Sequence, residues 1–175
     1  MIILVGPSGS GKTSIGKVLE EQSIPRLVTT TTRPAREGET EGVDYYFRDF
    51  SKEDMKEFIE QTVYNNNRYG LTKAEVSSML EKHNIVHVSL DKKGAKALKK
   101  NYPKESFVVF VKITEDEMIK RMRKRGDSER QINERVIFAK ETDELNPPPE
   151  TDLIIKNENI KDSAKLIMDN LFQEV

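Results

Sequence analysis

Near the start of this 175-residue chain, three glycines, a lysine and a threonine stand at a spacing that handles phosphate. Gly6-Pro7-Ser8-Gly9-Ser10-Gly11-Lys12-Thr13 fits the pattern G-x-x-x-x-G-K-[ST], and Ser14 continues it. Gly6, Gly9 and Gly11 allow the backbone to wrap closely around anionic oxygens and aim its N–H groups inward. Lys12 supplies a mobile cation for the outer phosphates of ATP, and Thr13 a hydroxyl ligand for Mg²⁺. A Gly/Ser-rich turn without a ligand is the plainer alternative. The flanks favour the nucleotide site. Ile2 to Val5 are four successive apolar residues, as in a strand buried on both faces. Beyond the loop, Ile15, Val18 and Leu19 recur at helical spacing, placing a helix N-terminus under the anion.

Composition narrows the remaining classes. The formal net charge is −1, with 34% charged residues of both signs, which supports neither nucleic acid nor an anionic membrane as a partner. Cysteine is absent, so disulfides and Cys-based metal sites are excluded. The first predicted strand begins at residue 2, leaving no room for a signal peptide, and no apolar run approaches membrane-span length. A cytoplasmic protein is the expectation; oligomeric state is left open. High charge with 7% aromatics leans toward disorder, but the regular apolar segments argue for a folded chain.

Those segments alternate. A helix over about Lys12 to Glu21 is followed by a short predicted strand, Pro25 to Thr29, and then by a long polar stretch. Ser51 to Ile59 suggests a helix with Ser51 as N-cap and Met55, Phe58 and Ile59 on one face. Glu60 through Arg68 fits a strand or turn, and Lys73 to Lys82 a further helix. Ile85 to Leu90 is a buried-strand pattern, after which Asp91 caps a helix carrying Ala95 and Leu98. Phe107 to Val111 is another such strand. Thr114-Glu-Asp-Glu117 is a capping box opening a helix that Gly126 breaks. Asp127 to Arg130 reads as a charged turn and Ile132 to about Leu145 as helix; Pro147 to Pro149 are a rigid connector. Leu153 to Ile155 and Ile160 to Phe172 give a last strand and helix. Alternating strands and helices predict an α/β fold with a parallel sheet flanked by helices. His83 and His87 have no metal-ligand partners at useful spacing and are taken as structural.

The polar stretch Thr31-Thr-Arg33-x-x-Arg36-x-Gly38-Glu39-x-x-Gly42-x-Asp44-Tyr45-x-Phe47 closely resembles the signature of guanylate kinases. The resemblance continues through Glu60, Tyr69-Gly70, Asp91 and Gly94 and covers nearly the whole chain. It implies a single P-loop domain with a core at about 1–32, 82–119 and 147–175, a monophosphate-binding insert at about 33–81 and a lid at about 120–146. Arg33 and Arg36 are forked cations suited to bidentate phosphate contact. Tyr45 and Tyr69 match positions where a phenol donates to the same phosphate; half-buried aromatic packing is their other reading. Glu60 falls at the carboxylate position that accepts guanine N1–H and N2–H, donors that adenine cannot present in that pattern; an ordinary helix-end glutamate is the alternative. Thr29 falls where the family sets a hydroxyl against O6. Asp91 matches an acid near base and Mg²⁺, and N-capping of its own helix is compatible with that.

Two positions depart from the family. Leu71 stands where the family usually has Ser or Thr reading the base, with Thr72 one position late, and Ser89 where it often has Asp. In the lid, Arg121 and Arg125 are four apart; like charges at that spacing suggest a shared anion, which the family supplies as ATP phosphates. A solvated basic helix face is the alternative. Arg135 matches a third arginine, one residue closer to Arg125 than usual, and Arg130 is a substitute. Asn157 falls near the adenine of ATP by the same resemblance. The implied reaction is in-line phosphoryl transfer from MgATP to GMP or dGMP, by Lys12, Arg36, Arg121, Arg125 and Arg135 and without a general base. Two rivals stay open: a related P-loop kinase with another phosphorylated acceptor, and a non-catalytic binding module of the same fold. A GTPase is disfavoured by the lack of an N-K-x-D motif.

Overall fold

A computed structural model of the chain describes residues 1–50, 56–64 and 66–172. Strand β1 (Ile2–Val5) lies inside a four-stranded parallel sheet of order β6-β1-β7-β8, with β6 at His87–Ser89, β7 at Phe107–Lys112 and β8 at Leu153–Lys156. Its alternating side chains serve two cores, which is why no polar residue interrupts it. Ile3 and Val5 pack with Val88, Leu98, Val108 and Phe110 on one face. Ile2 and Leu4 pack on the other with Ile15 and Leu19 of helix α1 (Lys12–Glu21) and Ala164 and Ile167 of helix α6 (Ile160–Leu171). The predicted parallel sheet flanked by helices is what the chain forms.

A second sheet, order β3-β2-β5-β4, stands beside the first. It comprises β2 (Thr30–Thr31), β3 (Tyr46–Phe47), β4 (Phe58–Tyr64) and β5 (Asn67–Thr72). Here two expectations are corrected. Phe58 and Ile59 begin a strand rather than end a helix: β4 pairs antiparallel with β5, and Phe58 stacks on Phe50 at 4.6 Å between centroids. Thr62, Val63 and Tyr64 prefer the extended backbone, and pairing overrides the helical spacing of two apolar residues. The remainder of that predicted helix, 51–55, lies outside the described residues. The strand predicted at Pro25 to Thr29 is also displaced. Leu27 N–H reaches His87 O at 2.8 Å, but the next amide, Val28 N–H, donates to Glu75 Oε1 at 2.8 Å. With that donor diverted to a side chain, the ladder on the core sheet stops and the strand forms later, at Thr30–Thr31.

Helices α2 (Lys73–Lys82), α3 (Lys92–Asn101) and α4 (Glu115–Arg125) match the predicted spans, and Gly126 ends α4 in the left-handed conformation. Helix α5 (Glu129–Glu141) starts earlier than predicted and includes part of the expected charged turn. Ser128 and Gln131 form a reciprocal capping box there, an S-x-x-Q signal that outweighs the run of charges. Met118, Met122, Ile132 and Ala139 close a third small core between α4 and α5.

Candidate active site

In a parallel sheet the loops beyond the carboxyl ends of the strands converge on one edge. Here that edge gathers the loop after β1, Leu90 and Asp91 after β6, and Asn157 after β8. Helix α1 begins there without a side-chain cap on Gly11, whereas among the described residues Thr72, Asp91, Thr114, Ser128 and Asn159 cap the other five helices. The first-turn N–H groups of α1 are left for an anion. Lys12 Nζ rests on the loop's own carbonyls, donating to Gly6 O and, at 2.9 Å, to Pro7 O. Burial pushes its ammonium down to about 8, with Glu144 opposing that shift and Arg135 reinforcing it.

The loop is braced from behind. Arg121 Nη1 donates to Gly9 O at 3.1 Å and Ser10 O at 3.3 Å, and its Nη2 to Asn157 O at 2.8 Å. Asn157 is buried, donates to Ser10 O at 2.9 Å and accepts from Ser163 Oγ at 3.0 Å. Its side chain is thus committed to the loop rather than to an adenine. Gly11 has φ +99°, and a Cβ added there would lie 2.0 Å from Asn157 Nδ2. Gly11→Ala is therefore expected to cost about 3 kcal/mol or more, from left-handed strain plus a clash with a hydrogen-bonded buried side chain. Thermal unfolding with and without ATP measures this; a melting temperature within a degree of the parent's would contradict it.

In front of the loop is a cleft of about 220 Å³, which brings together Lys12, Thr29, Tyr45, Glu60, Tyr69 and Asp91, with Arg135 at its rim. A larger groove of about 1060 Å³ behind α1, lined by Thr13, shares Thr29, Tyr45 and Ser89 with this cleft but is not faced by Lys12 or Glu60. The cleft is polarised along its length. At one end Glu60 stands beside Asp91, whose Oδ1 caps α3 by accepting from Gly94 N–H at 2.7 Å. Burial, then the Asp91 charge, pushes the Glu60 carboxyl up to about 7 against the N–H of Leu71. Gly70 keeps this wall thin, since a Cβ there would meet the Phe58 ring at 2.4 Å.

At the other end Tyr45 and Tyr69 meet edge to face at 5.9 Å, with the Arg33 guanidinium 5.4 Å from the Tyr45 ring centroid. Burial, then Tyr69, pushes the Tyr45 phenol up, so it remains a hydrogen-bond donor. Arg33 Nη2 is held by Glu39 Oε1 at 2.7 Å. Arg36 contributes its backbone N–H to Glu39 Oε2 at 2.7 Å, and its side chain is exposed.

The three lid arginines are not gathered at one point. Arg121 is fixed behind the loop, and Arg125 pairs with Asp127 and is 57% exposed. Arg135 reaches the cleft, where Nη2 donates to both carboxylate oxygens of Glu144, at 3.0 and 3.2 Å. Arg130, the substitute suggested by spacing, points to solvent and pairs with Glu134. Thr13 is exposed in the first turn of α1. Among the described residues no cluster of three His, Cys, Asp or Glu could hold a metal. His87 is buried in β6 and pushed down to about 4 by burial and then Arg26, so it is neutral.

Sequence reading missed two polar residues of the cleft, Thr62 and Glu144. Thr62 was hidden by the helix expected at its N-terminal side; once β4 is a strand, its place two residues after Glu60 puts both on one face. No local pattern marks Glu144, which lies beyond the end of α5.

A phosphate-cradling loop at the edge of a parallel sheet, with an acid and two phenols across a cleft from its lysine, defines a P-loop phosphotransferase. The guanylate kinase family model matches residues 1–174. The guanylate kinase of Wolinella succinogenes is 36% identical over 178 residues, covering 96% of this chain and 81% of that protein. That of Helicobacter pylori is 36% identical over 179 residues, covering 96% and 84%. The crystal structure of guanylate kinase from Anaplasma phagocytophilum superposes with a TM-score of 0.70 at 24% identity, over 99% of this chain and 85% of that one. This chain belongs to the guanylate kinase family.

Proposed function

We propose that the protein transfers the γ-phosphoryl group of ATP to GMP or dGMP, giving ADP and GDP or dGDP. The observation that carries this is the polarity of the cleft: a carboxyl at one end, two phenols at the other with the Arg33 guanidinium against the Tyr45 ring, and Lys12 in the same lining. Glu60, ionised, accepts guanine N1–H and one N2–H. Tyr45, Tyr69 and Arg33 hold the acceptor phosphate, whose oxygen attacks the γ-phosphorus as the bond to the β–γ bridging oxygen breaks. That phosphate is already an anionic nucleophile, so positioning and charge neutralisation do the work and no general base is needed. Lys12 and the α1 amides hold the β- and γ-phosphates, and Arg135, released from Glu144, meets charge on the transferring group. The Thr13 hydroxyl would help hold Mg²⁺, which would supply neutralisation of phosphate charge. Arg36 and Arg125 act only if the polar segments around 33–81 and 120–146 close over the substrates, which would also exclude water. The protein works in the cytoplasm. Among the described residues no helix is long and apolar enough to cross a membrane.

A coupled ADP-release assay with MgATP against GMP, dGMP, IMP, AMP, UMP and CMP tests this. Strong turnover of GMP and dGMP with little of AMP is expected. Turnover spread evenly over the purines, or absent with all six, would overturn the acceptor.

A further inference from the structure

Guanine offers three donor hydrogens on the edge that Glu60 faces, and Glu60 can accept only two of them; Asp91, beside it in the cleft, already accepts Gly94 N–H at 2.7 Å as the cap of α3. N1–H and the nearer N2–H point at the carboxylate; the second N2–H points toward the sugar side of the base. A site that buries the exocyclic amine and leaves that hydrogen unpaired loses much of its discrimination. The position where the family resemblance puts a hydroxyl is taken by Leu71, which is fully buried among Val76, Val86, Val88 and Ala95. Its neighbour Thr72 is committed elsewhere, its hydroxyl accepting from Glu75 N–H at 3.2 Å as the cap of α2.

Thr62 is differently placed. It lines the cleft with Glu60 and stands two residues further along β4, so the two side chains share a face about 7 Å apart. It lies directly opposite Tyr69 on β5, while Glu60 lies opposite Leu71. Thr62 is therefore one step from the base-reading carboxyl toward the phosphate-binding phenol, on the side where a bound nucleotide's sugar edge must fall. Among the described residues its hydroxyl has no hydrogen-bond partner. We infer that Thr62 Oγ1 accepts the second N2–H of the guanine and sets the preference for a 2-amino purine, an inference that rests on GMP being the acceptor.

The test compares GMP, dGMP and IMP, which lacks the 2-amino group, in the parent and in Thr62→Val and Thr62→Ser. Thr62→Val is expected to raise KM for GMP and dGMP about tenfold, with kcat and the KM for ATP unchanged and IMP kinetics unmoved. Thr62→Ser restores the parent preference. Equal shifts for GMP and IMP mean a structural role and overturn the inference, as does no shift for either. A shift for GMP but not dGMP would place the contact on the ribose and also overturn it. If the parent itself does not turn over GMP, the acceptor assignment fails first and this inference with it. Melting temperatures of the two variants separate misfolding from lost recognition.

Discussion

Replacing Lys12 by alanine lowers kcat by about three orders of magnitude or more, and leaves the Kd for GMP within roughly threefold of the parent value. The asymmetry follows from geometry. Lys12 rests on the carbonyls of Gly6 and Pro7 in the loop after β1, while Glu60 and Tyr69, two of the proposed GMP contacts, are on the second sheet. When a polyphosphate arrives, the ammonium exchanges two carbonyls for anionic oxygens, an interaction that grows as charge moves onto the leaving phosphate. Arginine is no substitute, because its planar fork cannot occupy a pocket shaped for a point charge. The lysine also sets an alkaline limit: with its ammonium near 8 in the free protein, kcat/KM for ATP should fall above that pH. Turnover by Lys12→Ala within tenfold of the parent would remove the loop from the chemistry. Calorimetric titration of GMP into the variant measures the retained half of the site.

Glu60→Gln is expected to lower kcat/KM for GMP by about 10³-fold while leaving ATP binding intact. The amide accepts at one oxygen only and turns an N–H₂ toward a guanine donor, so an attraction becomes a repulsion. The pH profile supplies a second reading of the same residue. Burial and Asp91 raise the Glu60 carboxyl to about 7, so the acceptor form exists above that pH and is lost below it. In the parent, kcat/KM for GMP should therefore climb about tenfold per unit up to pH 7 and level off above it. Titration of the GMP phosphate adds its own slope near pH 6, common to both proteins. Subtracting the Glu60→Gln profile isolates the carboxyl. A parent profile flat from pH 6 to 8 would show that Glu60 does not read the base.

Much of this site was legible because its signals are local. The loop motif, the strand before it, the helix after it and the capping residues Asp91 and Thr114 act over a few residues, and each occurs where its pattern predicts. The second sheet was not legible for the opposite reason. Strand β2 is two residues long and pairs with Tyr46–Phe47 and with Tyr69–Gly70, far apart in sequence, so no periodicity announces it. Without that sheet Phe58 and Ile59 look helical and Thr62 has no face. Arg121 teaches a related lesson. Spacing linked it to Arg125 through a shared anion, yet three carbonyls of the loop and of Asn157 take its guanidinium, a use visible only once distant segments meet. Leu71 shows the converse. The sequence registers a missing hydroxyl, and packing explains it, since a polar side chain at that point would be buried among aliphatic ones.

Three of the arginines proposed to meet phosphate do not wait bare. Arg33 holds Glu39, Arg135 holds Glu144 and Arg125 holds Asp127. An incoming phosphate therefore displaces a carboxylate instead of filling a naked cationic funnel, and the field seen from a distance is nearly neutral. Diffusional capture of nucleotide should then respond weakly to ionic strength, changing by less than about threefold between 20 and 200 mM salt, where an unpaired basic cleft would slow by tenfold or more. Stopped-flow association of a fluorescent guanine nucleotide reads this directly; a steep decline would mean that the pairs open before the ligand arrives. Encounter with nucleotide is then governed by collision and fit, and recognition resides in how long the ligand stays.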